Sequence, residues 1–337
     1  MNEDKANTRP LVSVRLMTYN HEDFIADAMD GIMMQKTNFD VEVVVGDDFS
    51  TDNTLNIIRS YKDSKNIKIR ILERKKGDEY WHKRQEKGRL YNFINILENC
   101  KGKYIALLDG DDYWTDPLKL QRQVDYLELN RKYVLSYTNC DIYLEKENTL
   151  NKNTNNYEKK IDLLNYEEIF NDISNSKLKI KTPTIVIKSK YVAQIEIKPE
   201  LLRGDIPLLL TYSQCGQIHY LNKSTAVYRF SSNTASRPNE LYNKIKFQIT
   251  GCLLRFYFYE KYNYKIPVEI ISKYQKALID YSMLSKNKDF IVHDYLSEQT
   301  LSIINENFKR SSFMNKILFF LKNSRKVIGH KRQNIGK

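Results

Sequence analysis

The chain has 337 residues, of which 41% are hydrophobic and 12% aromatic, and its formal net charge is +12. This apolar content is enough for a packed core and argues against a largely disordered protein. No window approaches the roughly 18 consecutive apolar residues of a membrane-spanning helix, which argues against an integral membrane protein.

Predicted strands and helices alternate along the first part of the chain. The predicted strands are rich in apolar and β-branched residues: 11–17, 41–45, 67–72 and 104–108. A predicted helix follows each of them, at 22–35, 54–62, 89–99 and 118–129. This order predicts an α/β fold whose mixed, mainly parallel sheet has helices on both faces.

Acidic residues follow two of these predicted strands. Asp47 and Asp48 come directly after the second strand, and Asp109, Asp111 and Asp112 form the segment D-G-D-D after the fourth. Open α/β sheets bind ligands beyond the carboxyl ends of their strands, so the two clusters are expected to share one edge.

The D-x-D spacing of Asp109 and Asp111 is typical of a metal site. Both carboxylates can direct oxygens at Mg²⁺ or Mn²⁺ while phosphate oxygens complete the shell, and Gly110 lets the backbone bend. The alternative is a solvated acidic turn. Among the other polar residues of these turns, Ser50 and Asp52 are expected to be ordinary turn and capping residues.

The second part of the chain divides by composition. Residues 145–160 are polar and predict an exposed loop, and further strands are predicted at 182–188 and 218–230. The pattern then becomes helical and rich in aromatic residues. We expect a nucleotide-binding catalytic domain at 1–238, a helical region at 239–306 and a basic tail at 307–337.

The basic tail contains nine Lys or Arg residues and no Asp or Glu, so it carries +9 of the net +12. Drawn as a helix, it has apolar residues along one side, at 313, 317, 320, 321 and 328. Such a helix suits an anionic membrane surface, and packing on the protein's own helical region is an equal alternative. The chain has no recognisable nucleic-acid-binding motif, so a nucleic acid partner is not expected.

Cysteine usage indicates the compartment. The cysteines Cys100, Cys140, Cys215 and Cys252 lie far apart and form no C-x-x-C pair, which argues against a zinc site and a disulfide framework. The first ten residues lack the apolar core of a signal peptide. We therefore expect a cytoplasmic protein, with possible peripheral binding to the inner face of a bacterial plasma membrane.

Three segments together resemble a known family. L-V-S-V-R-L-M-T-Y-N-H, V-E-V-V-V-G-D-D-F-S-T-D-N-T and Y-I-A-L-L-D-G-D-D-Y-W-T-D-P occur in the order and at the approximate spacing of family 2 glycosyltransferases with the GT-A fold. The resemblance covers about residues 10–235. It implies an inverting, metal-assisted transferase that uses a nucleotide-sugar donor, with a glycan or lipid-linked acceptor in bacterial surface polysaccharide synthesis.

The resemblance also implies roles for individual residues near the nucleotide. Tyr19, flanked by Thr18 and Asn20, resembles the aromatic residue that packs on the nucleobase, and Asp48 resembles the carboxylate that reads the uracil of a UDP-sugar. Arg89 resembles a basic residue that approaches the nucleotide in some members, and Asn92 lies beside it.

Further roles concern the metal, the sugar and the acceptor. Asp109 and Asp111 correspond to the family's D-x-D metal motif, and Asp111 is the first choice for contact with the metal. Asp109 is also expected to contact the nucleotide, and Asp112 is expected to face the donor sugar. Asp205 corresponds to the catalytic base, and its alternative role is to begin a helix over 206–212. Ser231 departs from the pattern, because many relatives have a histidine there.

Two other functions stay open at this point. A catalytically degenerate GT-A protein acting as a scaffold or glycan-binding module is favoured by Ser231 and opposed by the retained acidic residues. A sugar-phosphate nucleotidyltransferase also combines a nucleotide fold with metal-binding carboxylates. It would carry a glycine-rich phosphate loop where this chain has T-Y-N-H.

Overall fold

The computed structural model describes residues 9–154, 160–198, 203–231, 240–284, 297, 298, 300, 302 and 303. Nine strands are found in these residues: β1 Val12–Thr18, β2 Val41–Asp47, β3 Ile67–Ile71, β4 Tyr104–Asp109, β5 Tyr113–Trp114, β6 Tyr133–Leu144, β7 Thr149–Asn151, β8 Val186–Lys188 and β9 Gln217–Phe230. Nine α-helices accompany them: α1 Ile25–Met33, α2 Thr54–Ser60, α3 Glu79–Lys87, α4 Leu90–Asn99, α5 Lys119–Leu129, α6 Tyr166–Ser174, α7 Asp205–Cys215, α8 Leu241–Lys261 and α9 Val268–Leu284.

The strands form one mixed sheet. Its order is β3-β2-β1-β4-β8-β6-β9-β5, and β7 pairs with β6 outside this path. The first four strands in this order are parallel, β8 is antiparallel to both β4 and β6, and β5 is antiparallel to β9. Because β6 and β9 are parallel to each other, most of the pairing is parallel, and the predicted mixed, mainly parallel sheet is confirmed.

Helices cover both faces of the parallel half of this sheet, as the sequence predicts. On one face, alternate residues of β1, β2 and β4 pack with α1 and α5 in a fully apolar core. On the other face α4 lies very close to β2, because a Cβ on Gly46 would come within 2.2 Å of the Ile96 side chain. Each fully buried Val, Leu or Ile of these layers contributes about 1.5–3 kcal/mol relative to an exposed one.

The strand β6 and the helices α3 and α6 were not predicted from the sequence. The helix α3 has no continuous apolar stripe, and Tyr80 is its only buried residue. It begins where the Asp78 carboxylate accepts a hydrogen bond from the Trp81 N–H at 2.7 Å. The predicted strand at 182–188 is also only partly correct. Thr182–Thr184 forms a 3₁₀ turn, and the strand is confined to Val186–Lys188.

The chain divides into two compact units, one within residues 1–232 and the other mainly from 233 onward. The second unit contains α8 and α9, which confirms the predicted C-terminal helices. The predicted boundary at 238 and the tail at 307–337 lie outside the described residues. No helix in the described part of the chain has both the length and the apolar character needed to cross a membrane.

Candidate active site

The two acidic clusters meet at one edge of the sheet. In the parallel register Thr18 lies beside Asp47, and Met17 lies beside Asp109. The Asp48 N–H donates to the Thr18 carbonyl at 3.0 Å, and the Gly110 N–H donates to the Met17 carbonyl at 2.8 Å. The loops after β1, β2 and β4 are therefore adjacent, as the sequence predicts from their position after parallel strands.

Gly110 allows the loop after β4 to approach the loop after β1. A Cβ at this position would lie 2.7 Å from His21 Nδ1 and 2.9 Å from Thr18 Oγ1, which are too short for any side chain. His21 Nδ1 and Thr18 Oγ1 are themselves 3.2 Å apart. Any larger residue here would have to displace the side chains of His21 and Thr18, whereas the sequence suggested only that Gly110 lets the backbone bend.

The loop after β1 presents Tyr19 to solvent. Its side chain is 53% exposed, and the next residue, Asn20, has a left-handed backbone with φ of 52°. Asn20 holds this conformation through two contacts with the loop after β2: its N–H donates to Ser50 Oγ, and its Oδ1 accepts from the Thr51 N–H, both at 2.8 Å. Asp52 accepts from the first N–H of α2 at 3.0 Å, a capping contact of the kind expected.

Asp48 is paired with a cation that the sequence did not reveal. Arg84 Nε lies 2.9 Å from both carboxylate oxygens, and Arg84 Nη2 lies 2.7 Å from Oδ2. The Tyr80 hydroxyl donates to Oδ1 at 2.9 Å. Both partners belong to α3, so this helix places a donor-rich surface over the residue predicted to read the nucleobase.

Asn92 and Arg74 support the same edge from within the protein. Asn92 is buried; its amide donates to the Gly46 carbonyl at 3.0 Å and its Oδ1 accepts from Arg74 Nη1 at 2.7 Å. Arg74 also donates to the Asp47 carbonyl at 2.8 Å, and burial lowers its pKa.

Arg89 precedes α4, and burial lowers its pKa too. Nucleotide contacts by Asn92 and Arg89 stay predictions.

Asp109 forms an ion pair inside the protein. Arg15, from the middle of β1, is 0% exposed, and its Nη2 lies 2.7 Å from Asp109 Oδ1. In the described part of the chain Arg15 Nε and Nη1 have no hydrogen-bond partner, and the guanidinium carbon lies 4.9 Å from the centre of the Phe93 ring. The charge of Asp109 is therefore largely compensated before any ligand arrives.

Asp112 faces the protein interior. It is 1% exposed, its Oδ1 accepts from the Arg229 N–H at 2.9 Å, and burial together with the charges of Asp111 and Asp109 raises its pKa well above the usual range. Arg229 also donates to the Asp111 carbonyl at 3.2 Å and pairs with Asp27. These contacts attach residues 109–112, the acidic loop, to β9. Because the Asp112 side chain is buried, its position does not favour the predicted contact with the donor sugar.

Trp114, Asp205 and Ser231 differ in their exposure to solvent. Trp114 is buried and donates from Nε1 to the Pro183 carbonyl at 2.8 Å, so it has a packing role. Asp205 is the exposed first residue of α7, and the preceding Gly204 is buried against Phe93. Ser231, directly after β9, is also buried.

The acidic loop suits a divalent ion that is bound together with phosphate. In the described residues no three His, Cys, Asp or Glu side chains form a ligand group by themselves. Mg²⁺ and Mn²⁺ need only one or two protein carboxylates when phosphate oxygens complete the shell. Asp111 is partly exposed and has Asp109 two residues away, so these two residues fit such an ion.

Comparisons with known proteins find glycosyltransferases among the sequence relatives of this chain. TuaG of Bacillus subtilis, named as a candidate glycosyltransferase of teichuronic acid biosynthesis, is 27% identical over 232 residues, covering 68% of this chain and 83% of its own. The Escherichia coli enzyme WfaP, named as a UDP-Glc:α-D-GlcNAc-diphosphoundecaprenol β-1,3-glucosyltransferase, is 35% identical over 137 residues, covering 41% of this chain and 48% of its own. Uncharacterized mycobacterial proteins are 41% identical over 117 residues, and the matched part spans only 31% of their length.

The fold also matches a solved structure. Residues 1–349 of Staphylococcus aureus TarS, in complex with UDP-GlcNAc, superpose with a TM-score of 0.55 at 18% identity, over 82% of this chain and 73% of that chain. This likeness confirms the GT-A architecture. The sequence profile named "Glycosyl transferase family 2" matches residues 13–188, more than half of the chain. The chain belongs to glycosyl transferase family 2.

Proposed function

We propose that this protein transfers a sugar, with inversion, from a UDP-sugar to a hydroxyl of a glycan or lipid-linked saccharide. The observation that carries the proposal is the convergence of Asp48, Asp109 and Asp111 at one sheet edge, next to the exposed ring of Tyr19. The relative named for a UDP-glucose donor and a diphosphoundecaprenol acceptor supports this substrate class, and TuaG supports a role in surface polysaccharide synthesis.

The donor nucleotide is held by the loops after β1, β2 and β4. Tyr19 stacks on the base, and the Asp48 carboxylate, fixed by Arg84, accepts from the base N–H. Thr18 and Asn20 shape the loop after β1 that contacts the nucleobase. Asp109 lies toward the ribose and diphosphate. A Mg²⁺ or Mn²⁺ ion held by Asp111 and Asp109 would neutralise charge on the departing diphosphate.

Asp205 acts as the general base. An acceptor hydroxyl is a poor nucleophile, and a carboxylate within hydrogen-bond reach removes its proton as the new bond forms. Asp205 is exposed at the start of α7, so an acceptor can reach it from solvent. Attack on the face opposite the leaving UDP inverts the sugar configuration.

Replacing Asp111 by Asn should remove the metal dependence of nucleotide binding. We expect the wild-type protein to bind UDP at least about tenfold more tightly with Mn²⁺ than with chelator, because the ion bridges carboxylate and diphosphate. Isothermal titration of UDP measures this ratio. In Asp111→Asn the two affinities should converge, while Asp125→Asn, an exposed carboxylate of α5, should keep the wild-type ratio. Equal wild-type affinities with and without Mn²⁺ would contradict the proposed site.

The basic tail would place the enzyme at the inner face of the plasma membrane, where lipid-linked acceptors occur. Deleting residues 309–337 should abolish co-sedimentation with vesicles rich in anionic phospholipid, because the tail supplies most of the net positive charge. Neutral vesicles serve as the control. Failure of the intact protein to bind anionic vesicles would remove the membrane proposal and leave the transferase proposal untouched.

A further inference from the structure

We propose that Phe93 is a positioning residue that couples the acidic loop of the donor site to Asp205. The proposal rests on the proposed function, because it takes Asp205 to be the general base. It adds a residue that contacts neither nucleotide nor acceptor and acts through its neighbours on both sides of the reaction.

The Phe93 ring contacts two structurally important groups. It is buried in α4, with the Arg15 guanidinium carbon 4.9 Å from its centre. It also meets the Gly204 backbone so closely that a Cβ there would lie 3.2 Å from both Cγ and Cδ2 of the ring. Contacts of this length are tighter than most Cβ contacts in proteins, so a methyl group at 204 must displace the ring, α7 or both by a few tenths of an ångström.

Each contact leads directly to a site residue. Arg15 is fully buried and binds Asp109 at 2.7 Å, so a shift of its guanidinium group moves the carboxylate at the start of the acidic loop. Gly204 immediately precedes Asp205, so a shift of its backbone moves the proposed base. The path from Asp109 to Asp205 therefore consists of Arg15, Phe93 and Gly204, all of them buried.

Close packing of Arg15, Phe93 and Gly204 explains how a displacement at one of them could change the position of Asp205 and so the rate of proton removal. Protein interiors are close-packed and have low compressibility, so a displacement at one contact is passed to the next. The aromatic ring is rigid and lies close to both the Arg15 guanidinium group and the Gly204 backbone. General base catalysis requires the carboxylate within hydrogen-bond distance of the acceptor hydroxyl, and a misplacement of about 1 Å can lower the rate about 100-fold.

The experiment places one methyl group at this contact, in Gly204→Ala. UDP release is measured with whichever of UDP-glucose, UDP-galactose and UDP-N-acetylglucosamine the wild type turns over fastest. We expect kcat to fall about threefold to tenfold, with a smaller loss of affinity for UDP with Mn²⁺, because Asp109 shifts together with the acidic loop. Gln214→Ala, at the far end of the same helix, should leave both values unchanged.

A second measurement does not depend on activity. Amide hydrogen exchange at Gly110 and Asp112, whose N–H groups donate to the carbonyls of Met17 and Asp109, should be faster in Gly204→Ala. An increase of about threefold or more would show that the methyl group disturbs the acidic loop through Phe93. In a Phe93→Ala background the methyl has room, so adding Gly204→Ala should change neither kcat nor this exchange further. If Phe93→Ala does not fold, the single Gly204→Ala measurements decide the question.

The outcomes separate this inference from the proposed function. Full turnover in Gly204→Ala, or unchanged exchange at Gly110 and Asp112, would overturn the coupling. Asp205→Asn is assayed beside it. If Asp205→Asn retains turnover, the base assignment fails; if it is inactive while Gly204→Ala behaves as wild type, only the coupling fails.

Discussion

Asp205→Asn should bind UDP as tightly as the wild-type protein and lose turnover by a factor of about 10² to 10⁴. An amide has almost the same shape as a carboxylate but cannot accept the acceptor's proton. The fold should persist, because Asp205 is an exposed first-turn residue of α7 and a carboxylate at a helix N-terminus contributes only about 0.3–1 kcal/mol. Titration of UDP and assay of UDP release from a nucleotide sugar separate binding from chemistry.

A matched control is available in α6. Glu167 is also an exposed carboxylate in the first turn of a helix, so Glu167→Gln should keep full turnover and full UDP affinity. Retained turnover in Asp205→Asn would exclude this residue as the base. Loss of UDP affinity in the same variant would instead indicate that Asp205 helps to hold the nucleotide.

Sequence reasoning located the candidate site because its signals are local. Strand 104–108 is a continuous apolar run and strand 41–45 is apolar except at Glu42, which favours burial of both strands in the sheet, and the acidic residues come shortly after them. Parallel strands place such residues at the same edge, and the register of Thr18 with Asp47 and of Met17 with Asp109 confirms this placement.

The partners of these carboxylates could not be predicted in the same way, because they are distant in sequence. Arg15 lies 94 residues from Asp109, and Arg84 lies 36 residues from Asp48. Arg15 nevertheless left a visible signal. A charged residue in the middle of an apolar strand must be buried with an opposite charge or excluded from the sheet. Arg84 left no comparable signal, because α3 has few apolar residues to give it a helical pattern.

The ion pair between Arg15 and Asp109 leads to a prediction about stability. Asp109→Asn should lower the free energy of unfolding by about 3 kcal/mol, because it leaves a buried guanidinium group without a counter-charge. The midpoint of urea denaturation measures the change, provided that the denaturant slope stays constant. Asp111→Asn, two residues away on the partly exposed part of the loop, should not lower stability beyond about 0.5 kcal/mol.

A double variant tests the cause of this loss. In Arg15→Met/Asp109→Asn the buried charge is gone, and methionine can occupy much of the same space against Phe93. Replacing a buried ion pair by apolar groups of similar volume is often neutral, so the double variant should be more stable than Asp109→Asn alone. Equal stability of Asp109→Asn and wild type would mean that Arg15 does not depend on Asp109, and the acidic loop would then need another anchor. Recovery in the double variant would show that Asp109 serves the fold, so a loss of activity in any Asp109 variant is evidence for the proposed metal or nucleotide contact only when the variant is folded.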